Sequence, residues 1–289
     1  MLPDTLLDRV GWGALTAGAT VDEFNPRTEP DALSGRSSFL ALPAARVDPW
    51  PEAAPAGRGG RVVRHERESA ALGRPLTAWS YVPDRVSPDT PLLVLLDGEI
   101  WNGQVDITWL LDDLIASGRI PPVAVVMPEG GSPETRMAEM TLNPAYLAFL
   151  RDELLPWAEE VTGCAPDSRR LIGGWSLGGL TAAYAAIHIP RLRTVISLSG
   201  SFWWPLGTAF DRGAEALAQM LVARDGLARR IWYIEVGRGE AIQLRENRHM
   251  AQVARARGDD VTFVDHGGVH DLVNARIGLA YGLLETLGR

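Results

Sequence analysis

A serine flanked by glycines stands in the middle of the chain, in a pattern typical of an enzymatic nucleophile. Gly174-Trp175-Ser176-Leu177-Gly178 has the spacing G-x-S-x-G, in which the serine occupies a tight turn between a strand and a helix. Leu171-Ile172 before it favours a strand, and the run from Leu180 to Ala186 favours a helix. The pattern predicts that Ser176 attacks a carbonyl carbon and that the Leu177 N–H stabilises the resulting oxyanion.

A serine nucleophile needs a base, and the chain contains five histidines. In chains with this motif the order is serine, acid, histidine, with the histidine after the last strand. Two histidines satisfy that order: His266 at the exit of a predicted strand, and His270 in the loop before the last predicted helix. We favour His270, because a loop there can carry the imidazole over the serine, and we keep His266 as the alternative.

The acid that orients the base is expected in the loop after the preceding strand. Glu240 directly follows the strand-like run Trp232 to Val236 and is the preferred candidate. Glu235 lies within that run and is a weaker alternative, as are Asp265 and Asp271, which flank the two histidines in sequence. A carboxylate at a helix start also interacts well with the helix dipole, so Glu240 can serve both purposes.

A second oxyanion donor is expected in the loop after an earlier strand. The segment Leu95-Leu96-Asp97-Gly98-Glu99 supplies such a loop. We expect the donor to be the N–H of Gly98 or of Glu99; the other interpretation of this segment is a simple tight turn.

The elements around these residues follow a repeating pattern. Arg61 to Glu68 and Leu76 to Pro83 are expected to pair as a hairpin. Apolar runs of strand length then alternate with amphipathic stretches of helix length, which is typical of a parallel sheet covered by helices. The strand candidates are Leu92–Leu96, Val123–Met127, Leu171–Gly174, Thr194–Leu198, Arg230–Val236 and Val261–Asp265. The helix candidates are residues 106–117, 145–161, 177–188, 211–223, 241–257 and 271–287.

The predicted fold is therefore α/β: an α/β-hydrolase fold with a mostly parallel central sheet flanked by helices. Ligands of such sheets collect beyond the carboxyl ends of the strands, where all the candidate residues lie. Residues 1–60 carry many prolines, glycines and alternating charges without a sustained period, which indicates an irregular N-terminal arm or linker. Residues 61–289 are expected to form the catalytic domain.

Composition excludes several other function classes. The formal net charge of −8 argues against a nucleic-acid or anionic-membrane surface. Cys164 is the single cysteine, so neither a disulfide framework nor a thiolate metal site is expected. No run approaches the ~20 apolar residues of a membrane span, and the first twenty residues lack a signal-peptide pattern, which favours a cytoplasmic enzyme. The oligomeric state is not indicated.

With these residues identified, the chain resembles the enterochelin (enterobactin) esterases of the esterase D group. The motifs that carry the resemblance are LLDGEIW at 95–101, GGWSLGGL at 173–180, SGSFWWP at 199–205, GRGE at 237–240 and GGVHD at 267–271. The resemblance implies a Ser176–His270–Glu240 triad that hydrolyses the ester bonds of a catecholate siderophore trilactone such as ferric enterobactin. No protein-bound metal or cofactor is then required, because iron arrives with this small-molecule substrate.

The same comparison implies three substrate-binding residues. Arg136 would contact the anionic catecholate, with a surface ion pair as its other interpretation. Trp203 and Trp204 would line the mouth of the site; the other interpretation of these two residues is that they pack in the core. The chain departs from the family in two places: only residues 25–50 correspond to the β-rich domain with which members commonly begin, and the histidine motif carries the additional Val269 and His266.

Two other functions remain compatible with the fold. A general carboxylesterase or acyltransferase would use the same nucleophile, because a fold does not fix a substrate. A non-catalytic binding protein would keep the fold alone, and the presence of serine, acid and histidine in the expected order argues against it.

Overall fold

One large sheet organises the chain. The computed structural model describes residues 20–25, 27–31, 35–40, 45–51, 59–205, 213–224 and 226–288. Within these ranges the strands are β1 (Thr28–Asp31), β2 (Gly35–Ser38), β3 (Arg61–Ser69), β4 (Arg74–Val82), β5 (Leu92–Leu95), β6 (Ala124–Pro128), β7 (Arg170–Trp175), β8 (Leu192–Leu198), β9 (Ile231–Gly237) and β10 (Asp260–His266).

The sheet has eight strands in the order β10-β9-β8-β7-β5-β6-β4-β3. The six strands from β10 to β6 are parallel, whereas β4 pairs antiparallel to β6 and β3 antiparallel to β4. The register pairs Trp175 with Leu198, Leu198 with Glu235, and Gly237 with His266. The carboxyl ends of β7, β8, β9 and β10 therefore meet at one edge, and this edge carries the predicted site.

Helices cover both faces of the sheet. They are α1 (Ile107–Ala116), α2 (Pro133–Glu139), α3 (Pro144–Ala148), α4 (Leu155–Thr162), α5 (Leu177–His188), α6 (Gly213–Ala223), α7 (Ala241–Ala256) and α8 (Leu272–Leu287), with π-helical turns at Glu99–Gln104 and Phe149–Leu154. In the described part of the chain, none of these helices has the length and apolarity needed to cross a membrane.

The core consists of two apolar layers, one on each face of the sheet. Alternate residues of β5 point to opposite layers: Leu92 and Val94 belong to one, Leu93 and Leu95 to the other. The first layer includes residues of α3, α4, α5, α6 and α7, and the second includes residues of α1 and α8. A central parallel strand is buried on both faces, which is why the sequence of β5 is continuously apolar.

The predicted fold is confirmed, with three local differences. Residues 145–161, predicted as one helix, are α3 and α4 joined by a π-helical turn. Helix α2 was not predicted because it has only seven residues, although Ser132 caps it by accepting from the Thr135 N–H at 3.2 Å. The arm at 1–60 was expected to be irregular, but β1 and β2 pair antiparallel within it. The start of the helix predicted at 211–223 and several arm residues lie outside the described residues.

The arm is attached to the rest of the protein by charged side chains. Arg276 of α8 donates to Glu29 at 3.0 Å and also pairs with Asp48. Arg46 reaches further inward and donates to Glu235 of β9 at 2.6 Å. The described part of the arm thus lies against α8 and the end of the sheet that carries β9 and β10.

Candidate active site

The turn that carries Ser176 is strained and has room only for glycine at its flanks. Ser176 has φ 58° and ψ −116°, a conformation that places its side chain at the outer edge between β7 and α5. A Cβ on Gly174 would lie 2.6 Å from the carbonyl carbon of Gly178, and a Cβ on Gly178 would lie 2.8 Å from an oxygen of Asp97. Both glycines of the motif are therefore sterically required.

Ser176, His270 and Glu240 form a chain of hydrogen bonds at the carboxyl edge of the sheet. The Nε2 atom of His270 lies 3.1 Å from the Oγ atom of Ser176. Its Nδ1 atom lies 2.6 Å from Oε2 of Glu240. Because a carboxylate can only accept, Nδ1 carries the hydrogen and Nε2 presents its lone pair to the serine hydroxyl. This is the arrangement in which an imidazole can remove a proton from serine.

Glu240 is buried and held in its ionised form. Its second oxygen accepts from the Ser199 hydroxyl at 2.8 Å and from the Gly237 N–H at 2.7 Å. Burial alone would raise the pKa of Glu240, but the hydrogen bonds and charge of His270, together with those two donors, outweigh burial and lower the pKa. The carboxylate therefore stays charged at neutral pH and can stabilise an imidazolium.

The loop that carries His270 is fixed on both sides. Before it, the Gly268 N–H donates to Nδ1 of His266 at 3.1 Å, and a Cβ on Gly268 would lie 2.4 Å from the side chain of Asn274. After it, Asp271 caps α8 by accepting from the Asn274 N–H at 2.7 Å. The loop that brings the imidazole to Ser176 is therefore fixed by contacts on both sides of His270.

His266 and Glu235, the weaker candidates for base and acid, lie behind the site and face each other. Nε2 of His266 is 3.6 Å from Glu235, and Glu235 accepts from Arg46 and from the Tyr233 hydroxyl, each at 2.6 Å. Burial and the charge of Arg46 lower the pKa of His266 to about 4, so it is neutral at physiological pH. These two residues form a structural network rather than the hydrogen-bonded chain at Ser176.

The remaining acid candidates have other partners. Asp265 pairs on the surface with Arg238 at 3.2 Å and with Arg248 at 3.1 Å. Asp271 is the N-cap of α8, and its carboxylate accepts from the side chain of Asn274 at 2.6 Å.

The three predicted oxyanion donors lie on two neighbouring turns. The Leu177 N–H is at the first position of α5, where an amide has no intrahelical acceptor. In the other turn, the carbonyl of Asp97 accepts from Ile100 at 2.9 Å, and the N–H groups of Gly98 and Glu99 precede that donor. The Asp97 carboxylate packs against Gly178, which brings the two turns together.

Arg136 is already engaged within the protein. Its Nε and Nη2 atoms donate to the two oxygens of Asp97 at 2.6 and 2.8 Å, and Nη2 also lies 3.4 Å from the carbonyl of Trp175. The partner Asp97 is fully buried, so this is not the surface ion pair that the sequence left open.

Trp203 and Trp204 are both half-buried and contact each other edge to face, with ring centroids 5.8 Å apart. Trp204 also packs against the first core layer. Their role toward a substrate stays a prediction.

Three further residues belong to the site and were not predicted. The ring of Trp175 stacks on that of His270. The Ser201 hydroxyl lies 3.2 Å from that of Ser176, and Ser199 holds Glu240. The sequence signals for them were their place in the motifs at 173–180 and 199–205 and their position just after predicted strands, neither of which assigns a role to their side chains. Across the described residues, His, Cys, Asp and Glu side chains form no group of three or more that could hold a metal ion.

The sheet order and the Ser176 turn define the class of protein as an α/β-hydrolase. The family model described as "Putative esterase" matches residues 69–271. The iron(III) enterobactin esterase of Escherichia coli O6:H1 is 30% identical over 294 residues, covering 98% of this chain and 71% of that protein. The chain belongs to the enterobactin esterase family.

Solved structures of related proteins also resemble this chain. A crystal structure of the enterobactin esterase of Shigella flexneri, in the presence of enterobactin, has a TM-score of 0.84 at 29% identity and covers 98% of this chain and 73% of that chain. A ferulic acid esterase has a TM-score of 0.63 at 21% identity and covers 80% of this chain and 98% of that chain, a likeness that extends to the fold alone.

Proposed function

We propose that this chain hydrolyses the ester bonds of a catecholate siderophore trilactone, such as ferric enterobactin, with Ser176 as nucleophile. The observation that carries the proposal is the hydrogen-bonded chain from Ser176 through His270 to Glu240. The substrate class is supported by the names of the relatives, which are iron(III) enterobactin esterases, and by the structure of one of them in the presence of enterobactin.

In the first half of the reaction, His270 Nε2 takes the proton of the Ser176 hydroxyl while Oγ attacks the ester carbonyl carbon. The negative charge of Glu240 stabilises the imidazolium that forms. The carbonyl oxygen becomes an oxyanion, which accepts hydrogen bonds from the Leu177 N–H and from the N–H of Gly98 or Glu99. As the ester C–O bond breaks, the imidazolium returns the proton to the leaving alkoxide.

In the second half, water replaces the leaving alcohol. His270 removes a proton from the water as it attacks the acyl carbon, and then returns a proton to Ser176 as the acyl bond breaks. The product is a carboxylic acid, and repetition at the other ester bonds would open a trilactone fully.

The site lies at the protein surface, which suits a bulky substrate. Ser176 is half-buried, and 32% of the His270 side chain is exposed. Trp203 and Trp204 follow β8 at the same edge and remain the proposed lining of the mouth. The proposed mechanism uses no protein-bound metal or cofactor, because the iron belongs to the substrate. We also propose that the enzyme is cytoplasmic.

A substrate comparison tests the proposal. Wild-type protein and Ser176→Ala are assayed on ferric enterobactin, iron-free enterobactin and p-nitrophenyl butyrate, with Ser117→Ala, an exposed serine of another region, as the matched control. We expect wild type and Ser117→Ala to cleave the siderophore and Ser176→Ala to be inactive.

Two results would contradict the proposal. If Ser176→Ala still hydrolyses the esters, Ser176 is not the nucleophile. Efficient cleavage of the short acyl ester without cleavage of either form of enterobactin would instead define a general carboxylesterase.

A further inference from the structure

A cavity of about 440 Å³ opens at the amino ends of the parallel strands, at the edge of the sheet opposite the active site. Its walls come from the segments that lead into β7, β8 and β9. Strand β7 runs from this cavity to the Ser176 turn, and its six residues span roughly 20 Å at about 3.3 Å per residue. The cavity is therefore separate from the catalytic site, and its volume lies within the roughly 300–1,000 Å³ typical of small-molecule sites.

Arginine dominates the wall of this cavity, which we call the arginine cavity. In the described part of the chain, five arginines line it and one carboxylate does, that of Asp167. The arginines are Arg169, Arg170, Arg191, Arg193 and Arg229. The whole chain has a formal net charge of −8, so this local excess of positive charge runs against the average composition. A concave surface lined by charges of one sign concentrates ions of the other sign, here anions.

One carboxylate behind the wall serves two of these arginines. Glu159 of α4 accepts from Arg170 at 3.0 Å and also pairs with Arg191. Arg170 is 2% exposed, and its Nε atom is buried without an acceptor among the described residues. The two guanidinium groups therefore carry one more positive charge than Glu159 balances.

Arg193 and Arg229 are exposed, and their hydrogen bonds go to backbone carbonyls. Arg193 donates to the carbonyl of Arg229 at 3.5 Å, and Arg229 donates to the carbonyl of Gly258. Neither acceptor is charged, so these hydrogen bonds leave both positive charges in place. The two side chains can therefore donate to an anion that enters the cavity.

The pKa values of nearby arginines reflect the same excess of positive charge. Burial lowers the pKa of Arg170, although the charge of Asp167 opposes this change. The pKa of Arg230 is lowered to about 10 by burial and by the charges of Arg193 and Arg257. An anion bound beside such groups stabilises their charged forms.

We propose that the arginine cavity binds a phosphate oligoanion, such as pyrophosphate, tripolyphosphate or the phosphate chain of a nucleotide. Guanidinium groups bind phosphate through paired N–H donors, and several of them around one cavity suit a ligand with several negative charges. A nucleic acid or a membrane would need a more extended basic surface, which the net charge of −8 argues against. This inference is independent of the proposed ester hydrolysis at Ser176.

Calorimetric titration of the full chain tests the proposal. Pyrophosphate, tripolyphosphate and ATP are titrated at low ionic strength without divalent cations, with citrate as a carboxylate of comparable charge. The proteins are wild type, Arg193→Met/Arg229→Met and the control Arg64→Met/Arg151→Met. Both double variants remove two exposed arginines and so have the same net charge, but Arg64 and Arg151 do not line the cavity. Thermal unfolding shows that each variant is folded.

We expect wild type to bind tripolyphosphate more tightly than pyrophosphate, because more negative charges meet the guanidinium groups. Arg193→Met/Arg229→Met should bind tripolyphosphate roughly 10- to 100-fold more weakly, since charge-assisted hydrogen bonds are lost. The control variant should keep a Kd within about twofold of wild type, because exposed charges farther than a Debye length away are screened. An ATP Kd equal to that of tripolyphosphate would assign recognition to the phosphate chain, and tighter binding of ATP would add the nucleoside to the ligand.

Three results would overturn the proposal. The first is that wild type binds none of the phosphate compounds. The second is an equal loss of affinity in the two double variants, which would show attraction by net charge rather than by the cavity. The third is tighter binding of citrate than of tripolyphosphate, which would exclude a phosphate site.

Discussion

The indole ring of Trp175 lies stacked on the imidazole of His270, with ring centroids 4.8 Å apart and 29° between the planes. Trp175 precedes Ser176, so a residue of the nucleophile turn itself packs against one face of the catalytic base. An aromatic face attracts a cation, and the imidazole becomes a cation during each half-reaction. The stacking therefore both orients the ring and favours its charged form.

We expect Trp175→Leu to lower kcat by about 2- to 5-fold, because a cation–π contact at such a site is worth roughly 0.5–1 kcal/mol. Trp175→Phe should retain most of the activity, since the aromatic face is kept. Steady-state kinetics on p-nitrophenyl butyrate measure both, and Trp109→Leu, a partly exposed tryptophan of α1, is the control. Equal kcat for Trp175→Leu and wild type would show that the stacking contributes nothing.

Glu240→Gln should lower kcat by roughly 10²- to 10⁴-fold, because an amide cannot hold His270 in the required tautomer or stabilise its cation. The low pKa of Glu240 means that this loss should be seen throughout the neutral and weakly acidic range. Glu134→Gln, on the exposed start of α2, serves as the matched variant. If the kcat of Glu240→Gln were within threefold of wild type, another group would have to be the acid that orients His270.

The sequence predicts the central sheet because β5 to β10 each contain an apolar run of strand length, and helix-length stretches separate these runs. It also predicts which side chains meet, since Ser176, Glu240 and His270 each follow a parallel strand and such ends share one edge. It does not predict the pairing of Arg136 with Asp97, because that contact joins loops 39 residues apart that carry no periodic pattern. Ser199 and Ser201 also follow a predicted strand, Thr194–Leu198, but no motif indicates that their hydroxyls would contact Glu240 and Ser176.

The arm illustrates a second limit. Its composition indicates an irregular segment, and nothing in its local pattern shows that Arg46 would reach a buried carboxylate in β9. That contact spans 189 residues of sequence and depends on the complete sheet.

Arg46→Met should destabilise the protein by up to roughly 3–5 kcal/mol at pH 8, because buried Glu235 would lose the cation that stabilises its charged form. Burial already raises the pKa of Glu235, and Arg46 opposes that rise. Adding Glu235→Gln to Arg46→Met should restore more than half of the lost stability. Guanidinium unfolding of the two single variants and the double variant measures this coupling, and Arg151→Met in an exposed pair should change stability little. Simple additivity of the two changes would contradict the expected coupling.

Stability should also depend on pH through His266. Its pKa is lowered from an ordinary 6.5 to about 4, so between these values the unfolded chain binds a proton that the folded protein does not. The free energy of unfolding should therefore fall as pH decreases from 6.5 to 4, by about 3 kcal/mol from this residue. Chemical unfolding at several pH values measures the slope.

His266→Asn should flatten that slope, while His249→Asn, in an exposed position of α7, should not. An unchanged slope in His266→Asn would assign the pH dependence to other groups.

The contact between Arg46 and Glu235 also bears on how the protein can be shortened. A cut near residue 60 follows the change in composition, yet it would discard the guanidinium that balances a carboxylate inside the remaining part, together with both acidic partners of Arg276. A shortened enzyme that keeps its stability would therefore need Glu235 replaced by an uncharged residue of similar volume. We therefore expect the smallest stable unit to include the arm residues that pair with Glu235 and Arg276.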